Sequence, residues 1–141
     1  FAYVFENSHY PGVPKIDIHH IDNDAFTIGD ITMLPLPVMH LKMPVLGFRI
    51  GDFSYVTDAN FIHEATKDKI RGSKILVINA LRHETHPSHF TLKEALQLID
   101  ELKIPEVYLT HISHQLGKHE DVSSTLPTHV QIAYDGLTLE I

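Results

Sequence analysis

Alternating apolar and polar runs divide most of the chain into short strands and two helices. Runs rich in β-branched, aromatic and other apolar residues, each bounded by turn residues, predict strands. These strands span residues 31–38, 45–50, 53–57, 75–80, 106–110, 130–134 and 137–141. A helical pattern over 61–71 ends at Gly72, and a second helix opens at the capping box of Thr91 and Glu94 and ends before Pro105. The order β-β-β-α-β-α-β-β-β predicts an α/β fold with a mixed sheet.

Turn residues indicate how these elements connect. Gly51-Asp52 and Asp135-Gly136 each separate two β-prone runs by two residues, which predicts two tight hairpins. Pro35 and Pro37 lie inside the first strand, so it should be an edge or irregular strand. One face of the second helix carries the apolar residues expected in the core, which are Leu92, Ala95, Leu96, Ile99 and Leu102. Residues 1–30 lack such patterns, and we expect them to be an irregular lead-in to a single partial domain, 1–141.

Composition narrows the class of protein. The 141 residues are 43% apolar and 21% charged, which is typical of one globular domain. No apolar run approaches the roughly 20 residues that cross a bilayer, so we expect no membrane span. The net charge of -7 argues against a nucleic-acid partner, since binding to phosphate backbones needs clustered Lys and Arg. A cytoplasmic protein is compatible with this composition. The chain has no Cys and 12 His, so any metal would be held by nitrogen and oxygen ligands.

Several candidate metal ligands follow the ends of strands that should run in the same direction. Antiparallel pairing through 45–50 makes 31–39 and 53–57 parallel to each other, and right-handed helical crossovers give 75–80 and 106–110 the same direction. The residues after these four carboxyl ends are His40, Asp58, the stretch 82–86 and His111. In α/β sheets, ligands usually bind at that edge. Imidazole and carboxylate groups meeting there predict a Zn²⁺ or Mn²⁺ site.

Each of these residues also has a simpler explanation. A single His at a strand end is usually a surface or hydrogen-bonded residue, and Asp58 has the position of a cap for the helix that follows it. It is their predicted convergence that favours a metal site. The adjacent His19 and His20, with Asp22, do not support a second site, because neighbouring side chains in an extended segment point in opposite directions.

Around these same residues the sequence resembles the metallo-β-lactamase superfamily, and in particular the PhnP-type phosphoribosyl cyclic phosphodiesterases. The similarity covers residues 30 to 141. It depends on five segments that match in order and spacing: Pro-Leu-Pro-Val-Met-His (35–40), Gly-Phe-Arg-Ile-Gly-Asp-Phe-Ser-Tyr-Val-Thr-Asp-Ala (47–59), Leu-Val-Ile-Asn-Ala-Leu-Arg (76–82), His-Pro-Ser-His-Phe-Thr-Leu-Lys-Glu-Ala (86–95) and Leu-Thr-His-Ile-Ser-His-Gln (109–115).

The resemblance implies a dinuclear metal site at the edge of an αββα sandwich. It implies that His40 and His111 are terminal ligands of different metal ions and that Asp58 bridges the two ions. His89 matches a proposed general acid that protonates the leaving oxygen, and Asp58 and His89 are therefore the implied catalytic residues. His86 and His114 would contact the substrate or orient the ligands. Two divalent ions, Zn or Mn, would stabilise both the attacking and the leaving oxygen of a phosphodiester.

One departure from the family is large. The principal ligand motif of the superfamily, His-x-His-x-Asp-His, does not occur in this chain. We therefore expect the chain to be the C-terminal half of the sandwich, with the N-terminal half absent. Alone it should be inactive and bind metal weakly or not at all, because a catalytic zinc needs about three protein ligands. The apolar sheet face left open should be covered in a homodimer or other oligomer.

The resemblance leaves three functions open. The first is a phosphodiesterase acting on a small cyclic or nucleotide-like phosphodiester. The second is a ribonuclease Z-like nuclease, although the acidic charge counts against a large RNA substrate. The third is a binding module that kept the fold and lost catalysis, since a fold alone does not determine function.

Overall fold

The computed structural model describes residues 16–141, and its seven strands follow one another across the sheet in chain order. The strands are β1 (Phe26–Ile28), β2 (Ile31–His40), β3 (Met43–Ile50), β4 (Phe53–Val56), β5 (Ile75–Asn79), β6 (Glu106–Thr110) and β7 (Val130–Ile132). The helices are α1 (Glu64–Ile70), α2 (Leu92–Leu102) and α3 (His119–Ser123), and a 3₁₀ helix spans His114–Leu116. The α/β fold with a mixed sheet is confirmed.

The predicted strand directions are also confirmed. β2, β3 and β4 pair antiparallel in succession, and β4, β5 and β6 then pair in parallel. β2, β4, β5 and β6 therefore run the same way and end at one edge of the sheet. The hairpin at Gly51-Asp52 forms as expected, with Ile50 opposite Phe53.

Among residues 16–141, the two prolines lie where β2 is an edge strand. β1 pairs only with the first residues of β2, from Ile31 to Met33. Beyond them, the Pro35 carbonyl accepts a hydrogen bond from Lys69 Nζ at 3.2 Å, and the Pro37 carbonyl accepts one from Thr66 Oγ1 at 2.7 Å. Because proline has no N–H, neither residue leaves a donor unpaired on this side. The prediction of an edge strand holds here.

Both predicted helices form, the first shorter than expected. α1 begins at Glu64 rather than at Phe61, because Phe61 is paired with Met39 in an isolated bridge beside β2. Gly72 follows its end with a φ of 83°, a conformation that favours glycine. α2 opens with the expected capping box between Thr91 and Glu94. Its buried face is close to the predicted one, except that Leu98 is buried and Leu96 only partly.

The ends of the chain differ from the predictions. Asp135-Gly136 does form a turn, with the Leu137 N–H donating to the Tyr134 carbonyl at 3.1 Å, but residues 137–141 form no strand. The strand expected over 130–134 is reduced to β7, which pairs in parallel with β6 after the crossover through α3. The Asp-Gly pair therefore predicted the turn correctly, but not whether the residues after it pair with a strand. Within the lead-in expected to be irregular, Phe26–Ile28 is a strand, while residues 1–15 lie outside the described part.

The main core lies between one face of the sheet and the helices. Its members alternate along the strands with residues of the other face, as strand geometry requires. They include Leu36, Val38, Val56, Leu76, Ile78, Val107 and Leu109 from the sheet and Ile70, Ala95, Ile99 and Leu102 from α1 and α2. On the other face, Val77 and Tyr108 are buried, whereas Leu46 and Tyr55 are 38% and 41% exposed. On this face, apolar side chains of β3 and β4 are therefore left partly exposed.

Gly47 in β3 is required by a close approach of two backbones. A Cβ there would lie 2.6 Å from the Tyr55 carbonyl oxygen and 3.3 Å from Val56 Cα, and neither backbone atom can move without shifting β4. We expect Gly47→Ala to destabilise the chain by about 1–3 kcal/mol, as overpacking does elsewhere. Urea denaturation followed by circular dichroism measures this loss. A urea midpoint equal to that of the wild type would show that β3 and β4 can move apart at this point without loss of stability.

Within residues 16–141, no helix is long and apolar enough to span a bilayer.

Candidate metal centre

Three metal-ligand side chains meet at the carboxyl edge of the sheet. Asp58 lies two residues beyond β4, His111 directly follows β6, and His89 lies in the loop between β5 and α2. Asp58 Oδ1 is 3.1 Å from His111 Nε2 and 3.2 Å from His89 Nε2. One ligand atom from each of the three lies within 4.8 Å of the others. The convergence expected of Asp58 and His111 is therefore present, with His89 added to the same cluster.

His40 lies beside this group. It is the last residue of β2, and its ring packs edge-on against the ring of His89, with the ring centroids 4.8 Å apart. On its other side, His89 stacks on His111 at 4.7 Å and an angle of 14°. The ring of His86 also lies against it, with the centroids 4.9 Å apart, so His89 is in contact with three imidazoles and one carboxylate. His40 therefore lies at the predicted edge, but it contacts His89 rather than the Asp58–His111 pair.

The backbone around the site adopts unfavourable conformations. Among the described residues other than glycine, positive φ angles occur at Leu41, Asp58, Lys103 and His111, with values of 54–59°. Lys103 caps the end of α2, where this conformation is common. The other three lie at the metal-ligand edge. Such backbone strain costs on the order of 1–3 kcal/mol per residue and tends to occur at functional sites.

A buried amide holds the turn that carries Asp58. Asn79 is fully buried at the end of β5, where its Oδ1 accepts from the Ala59 N–H and its Nδ2 donates to the Ala59 carbonyl, both at 2.9 Å. The same carbonyl accepts from the Phe90 N–H at 2.9 Å. The residue after Asp58 is thereby tied both to β5 and to the residue after His89. These bonds hold the backbone segments that carry Asp58 and His89 close to each other.

His89 is also held from its second ring nitrogen. Its Nδ1 lies 3.0 Å from both Ser88 Oγ and His86 Nδ1. Burial lowers the pKa of His89; the hydrogen bond with Asp58 opposes this shift, and the neighbouring rings of His111 and His40 add to it. The neutral ring is therefore favoured, and it can donate from one nitrogen while accepting at the other.

Four other histidines that the sequence singled out differ in their relation to the cluster. His86 contacts the site through His89, as stated. His114 begins the 3₁₀ helix beyond His111, and within residues 16–141 no hydrogen bond joins its side chain to the cluster; it lines a separate small cavity with His119 and Ile132. His19 and His20 are exposed in an irregular segment.

Asn79 and Ser88 had no role predicted from the sequence. A structural role for Asn79 was predictable, because an amide that directly follows the apolar run 75–78 must find buried hydrogen-bond partners. For Ser88 there was no comparable signal, since its contacts depend on the path of an irregular loop.

The cluster fits a divalent metal ion. Carboxylate oxygen and imidazole nitrogen are ligands of Zn²⁺, Mn²⁺ and iron alike. Two donors on one tetrahedral zinc lie about 3.3 Å apart, given Zn–N bonds of about 2.0–2.1 Å. The Asp58 contacts of 3.1 and 3.2 Å are close to that spacing. Asp58 and His111 are also half exposed, so an ion can reach them from solvent.

Replacing Asn79 by alanine should destabilise the fold and loosen the site together. The Ala59 N–H would lose its partner in a buried position, and a cavity would remain where the amide was. We expect a loss of about 2–4 kcal/mol in the free energy of unfolding. Chemical denaturation measures the loss, with the exposed Gln97→Ala on α2 as a control for removal of an amide. A loss below about 0.5 kcal/mol, the range of neutral surface substitutions, would contradict this role for Asn79.

Comparison with known proteins agrees with the fold. Residues 1–112 match the family model described as a beta-lactamase superfamily domain. A crystal structure described as a new diphosphatase from the PhnP family is 36% identical, with a TM-score of 0.88 over 92% of this chain and 51% of that one. Human tRNase Z, short form, has the same fold at 15% identity, with a TM-score of 0.62 over 84% of this chain and 48% of that one.

A longer relative is named for a different activity. An octanoyltransferase of Porphyromonas gingivalis (strain ATCC BAA-308 / W83) is 36% identical over 137 residues, which are 96% of this chain but 28% of that protein. The chain thus spans about half of the diphosphatase and little more than a quarter of the octanoyltransferase. Its match to the family model covers well over half of its residues, and its sheet ends in the expected Asp and His side chains. The chain belongs to the metallo-β-lactamase superfamily and is similar to its PhnP group.

Proposed function

We propose that this chain carries part of the active site of a metal-dependent hydrolase that cleaves a small phosphodiester or a related diphosphate. The observation that carries the proposal is the meeting of Asp58, His89 and His111 at one edge of the sheet, with His40 packed against His89. These residues come from four separate segments of the chain, so local sequence alone would not bring them together.

The ligand count supports a site shared with residues outside this chain. His40, Asp58 and His111 are the residues that would hold the ions. Two ions need about six protein ligands, and this set supplies half of that number. Divalent ions at this edge would supply an activated water and neutralise the charge that develops on phosphoryl oxygens.

The chain's own residues would perform the remaining steps. His89 is the group placed to donate a proton to the leaving oxygen when its ring is protonated, because the ring lies beside the proposed ligands and is held from its Nδ1 side by Ser88 and His86. Its lowered pKa makes the protonated ring the minority form in the free site, but a stronger acid once it forms. Its small exposed fraction, 11% of the side chain, would keep competing water away from that proton. His86, half-buried behind His89, would orient its ring. His114 would contact only a large substrate that extends along the edge.

The comparisons support a phosphorus substrate over an acyl one. The similar PhnP-family protein is described as a diphosphatase and aligns with 92% of this chain. The name octanoyltransferase belongs to a protein of which 72% lies outside the match, since the match covers 28% of it. The octanoyl-transfer activity therefore need not lie in the segment similar to this chain.

A tRNA-processing nuclease is the second candidate, because human tRNase Z shares the fold. Identity of 15% supports the fold alone, and the net charge of -7 disfavours a long RNA. The third candidate is a binding module without catalysis, which would keep the fold without two bound ions.

Metal analysis separates these functions. We expect the isolated 141-residue chain to bind at most one Zn²⁺ or Mn²⁺ weakly and to show no hydrolysis, because half of the ligands are missing. The full-length protein should bind two ions per chain and hydrolyse bis-(p-nitrophenyl) phosphate and a ribose cyclic phosphate. Calorimetry of the chain and elemental analysis of the full-length protein give the stoichiometries. A full-length protein with two ions that cleaves tRNA precursors but neither small ester would favour the nuclease, and one without metal would refute the hydrolase.

A further inference from the structure

The side chain of Asn60 bridges two loops that carry candidate site residues. Its Oδ1 accepts a hydrogen bond from the Leu41 N–H at 2.8 Å, in the turn that directly follows His40. Its Nδ2 donates to the Pro87 carbonyl at 3.1 Å, in the loop that carries His89. Asn60 itself lies two residues beyond Asp58. One amide therefore touches the segments next to three of the four residues of the site.

The backbone of Asn60 strengthens this arrangement. Its N–H donates to the Met39 carbonyl at 2.9 Å, and the Met39 N–H donates to the Phe61 carbonyl at the same distance. The segment after Asp58 therefore lies as a short continuation of the sheet beside the end of β2. Because the backbone of Asn60 is bonded to β2, its side-chain amide has a fixed position. Its two side-chain hydrogen bonds can therefore hold the two loops in place.

The turn after His40 needs such outside support. Leu41 and Lys42 join β2 to β3 as a two-residue connection, and Leu41 has a φ of 59°. Turns of this kind favour Asn, Asp or Gly, because other side chains in this conformation cost roughly 1–2 kcal/mol. Leu41 supplies no such preference and is 54% exposed, so core packing does not hold it either. Besides the pairing of β2 with β3, the bond to Asn60 is a contact among the described residues that supports its strained form.

We propose that Asn60 is a positioning residue that fixes the His40 turn and the His89 loop relative to Asp58. It would contact neither ion nor substrate. The proposal rests on the proposed function only for its consequence for metal binding, since the geometry itself can be tested in the chain without metal. Residues that orient metal ligands typically change metal affinity by about 10–100-fold when they are replaced.

Two substitutions separate the two bonds. Asn60→Ala removes both, whereas Asn60→Asp keeps the acceptor for the Leu41 N–H and loses the donor to Pro87. We expect amide exchange at Leu41 to accelerate about tenfold in Asn60→Ala, from loss of one hydrogen bond, and to stay near the wild-type rate in Asn60→Asp. Cross-peaks between the His40 and His89 rings in NOE spectra of the 141-residue chain should weaken in both variants. Gln97→Ala, which removes an exposed amide on α2, should change neither measurement.

A third variant tests whether the support of the turn matters. In Asn60→Ala, the further change Leu41→Gly supplies the positive φ without strain and should restore the His40–His89 cross-peaks at least in part. In the full-length protein, Zn²⁺ affinity should fall at least about tenfold in Asn60→Ala. Unchanged cross-peaks and unchanged Leu41 exchange in Asn60→Ala would overturn the proposal. A full-length protein that binds no metal would instead refute the proposed function. The NMR measurements on the metal-free chain would still test the positioning role of Asn60.

Discussion

Under the proposed function, Asp58→Asn is expected to abolish hydrolysis by the full-length protein and to lower its metal content by at least one ion. Asp58 Oδ1 lies within 3.2 Å of ring nitrogens of both His89 and His111, so its charge is central to the cluster. A neutral amide cannot bridge two cations as a carboxylate does. Loss of several kcal/mol of transition-state stabilisation corresponds to a fall in kcat/KM of at least about a thousandfold. Steady-state assays and elemental analysis of the purified variant measure both effects.

Asparagine is the informative replacement at this position. Asp58 has a φ of 54°, and Asn tolerates that conformation better than Ala, so the backbone should keep its path. Asp135→Asn, in the exposed turn after β7, makes the same change of charge away from the site and should leave activity and metal content unchanged. Full activity of Asp58→Asn with two ions bound would show that another residue bridges the metals.

His89→Ala should lower kcat by about 10²–10⁴ while both metal ions are retained. This result follows if His89 donates the proton to the leaving oxygen, because the ions and the nucleophilic water would remain in place. The effect should shrink for a substrate whose leaving group needs no proton, such as p-nitrophenolate, compared with an alkyl ester. Parallel assays on both esters, with metal content determined for the same samples, measure this difference.

The structure also makes His89 a possible ligand, since its Nε2 lies as close to Asp58 as that of His111 does. Loss of a metal ion from His89→Ala, together with an equal loss of activity on both esters, would assign it that role and refute the general acid. His129→Ala, an exposed histidine before β7, is the matched control and should change neither kcat nor metal content.

The direction of the strands was predictable because it follows from chain order and from the handedness of crossovers. Antiparallel hairpins before α1 and parallel crossovers after it left one arrangement for β2, β4, β5 and β6, and this arrangement brings Asp58 and His111 to one edge. The proximity of His89 to the edge came from the family resemblance. Its place inside the cluster depends on the loop before α2, and irregular loops carry no periodic signal.

The errors have a common physical origin. The Asp135-Gly136 turn was predicted, but whether residues 137–141 pair with a neighbour depends on contacts distant in sequence. Likewise, the side-chain bonds of Asn79 and Asn60 join residues that are 19 to 27 positions apart in the chain. Short-range patterns report local conformation, and they do not report which remote partner a polar side chain finds.

Anomalous diffraction at the zinc edge from crystals of the full-length protein, grown with Zn²⁺, would locate the ions directly. We expect two peaks at the carboxyl edge of the sheet, both in contact with Asp58, one bound to His40 and the other to His111. Peaks at another place, or none at this edge despite full zinc occupancy elsewhere, would contradict the assignment of these three residues as ligands.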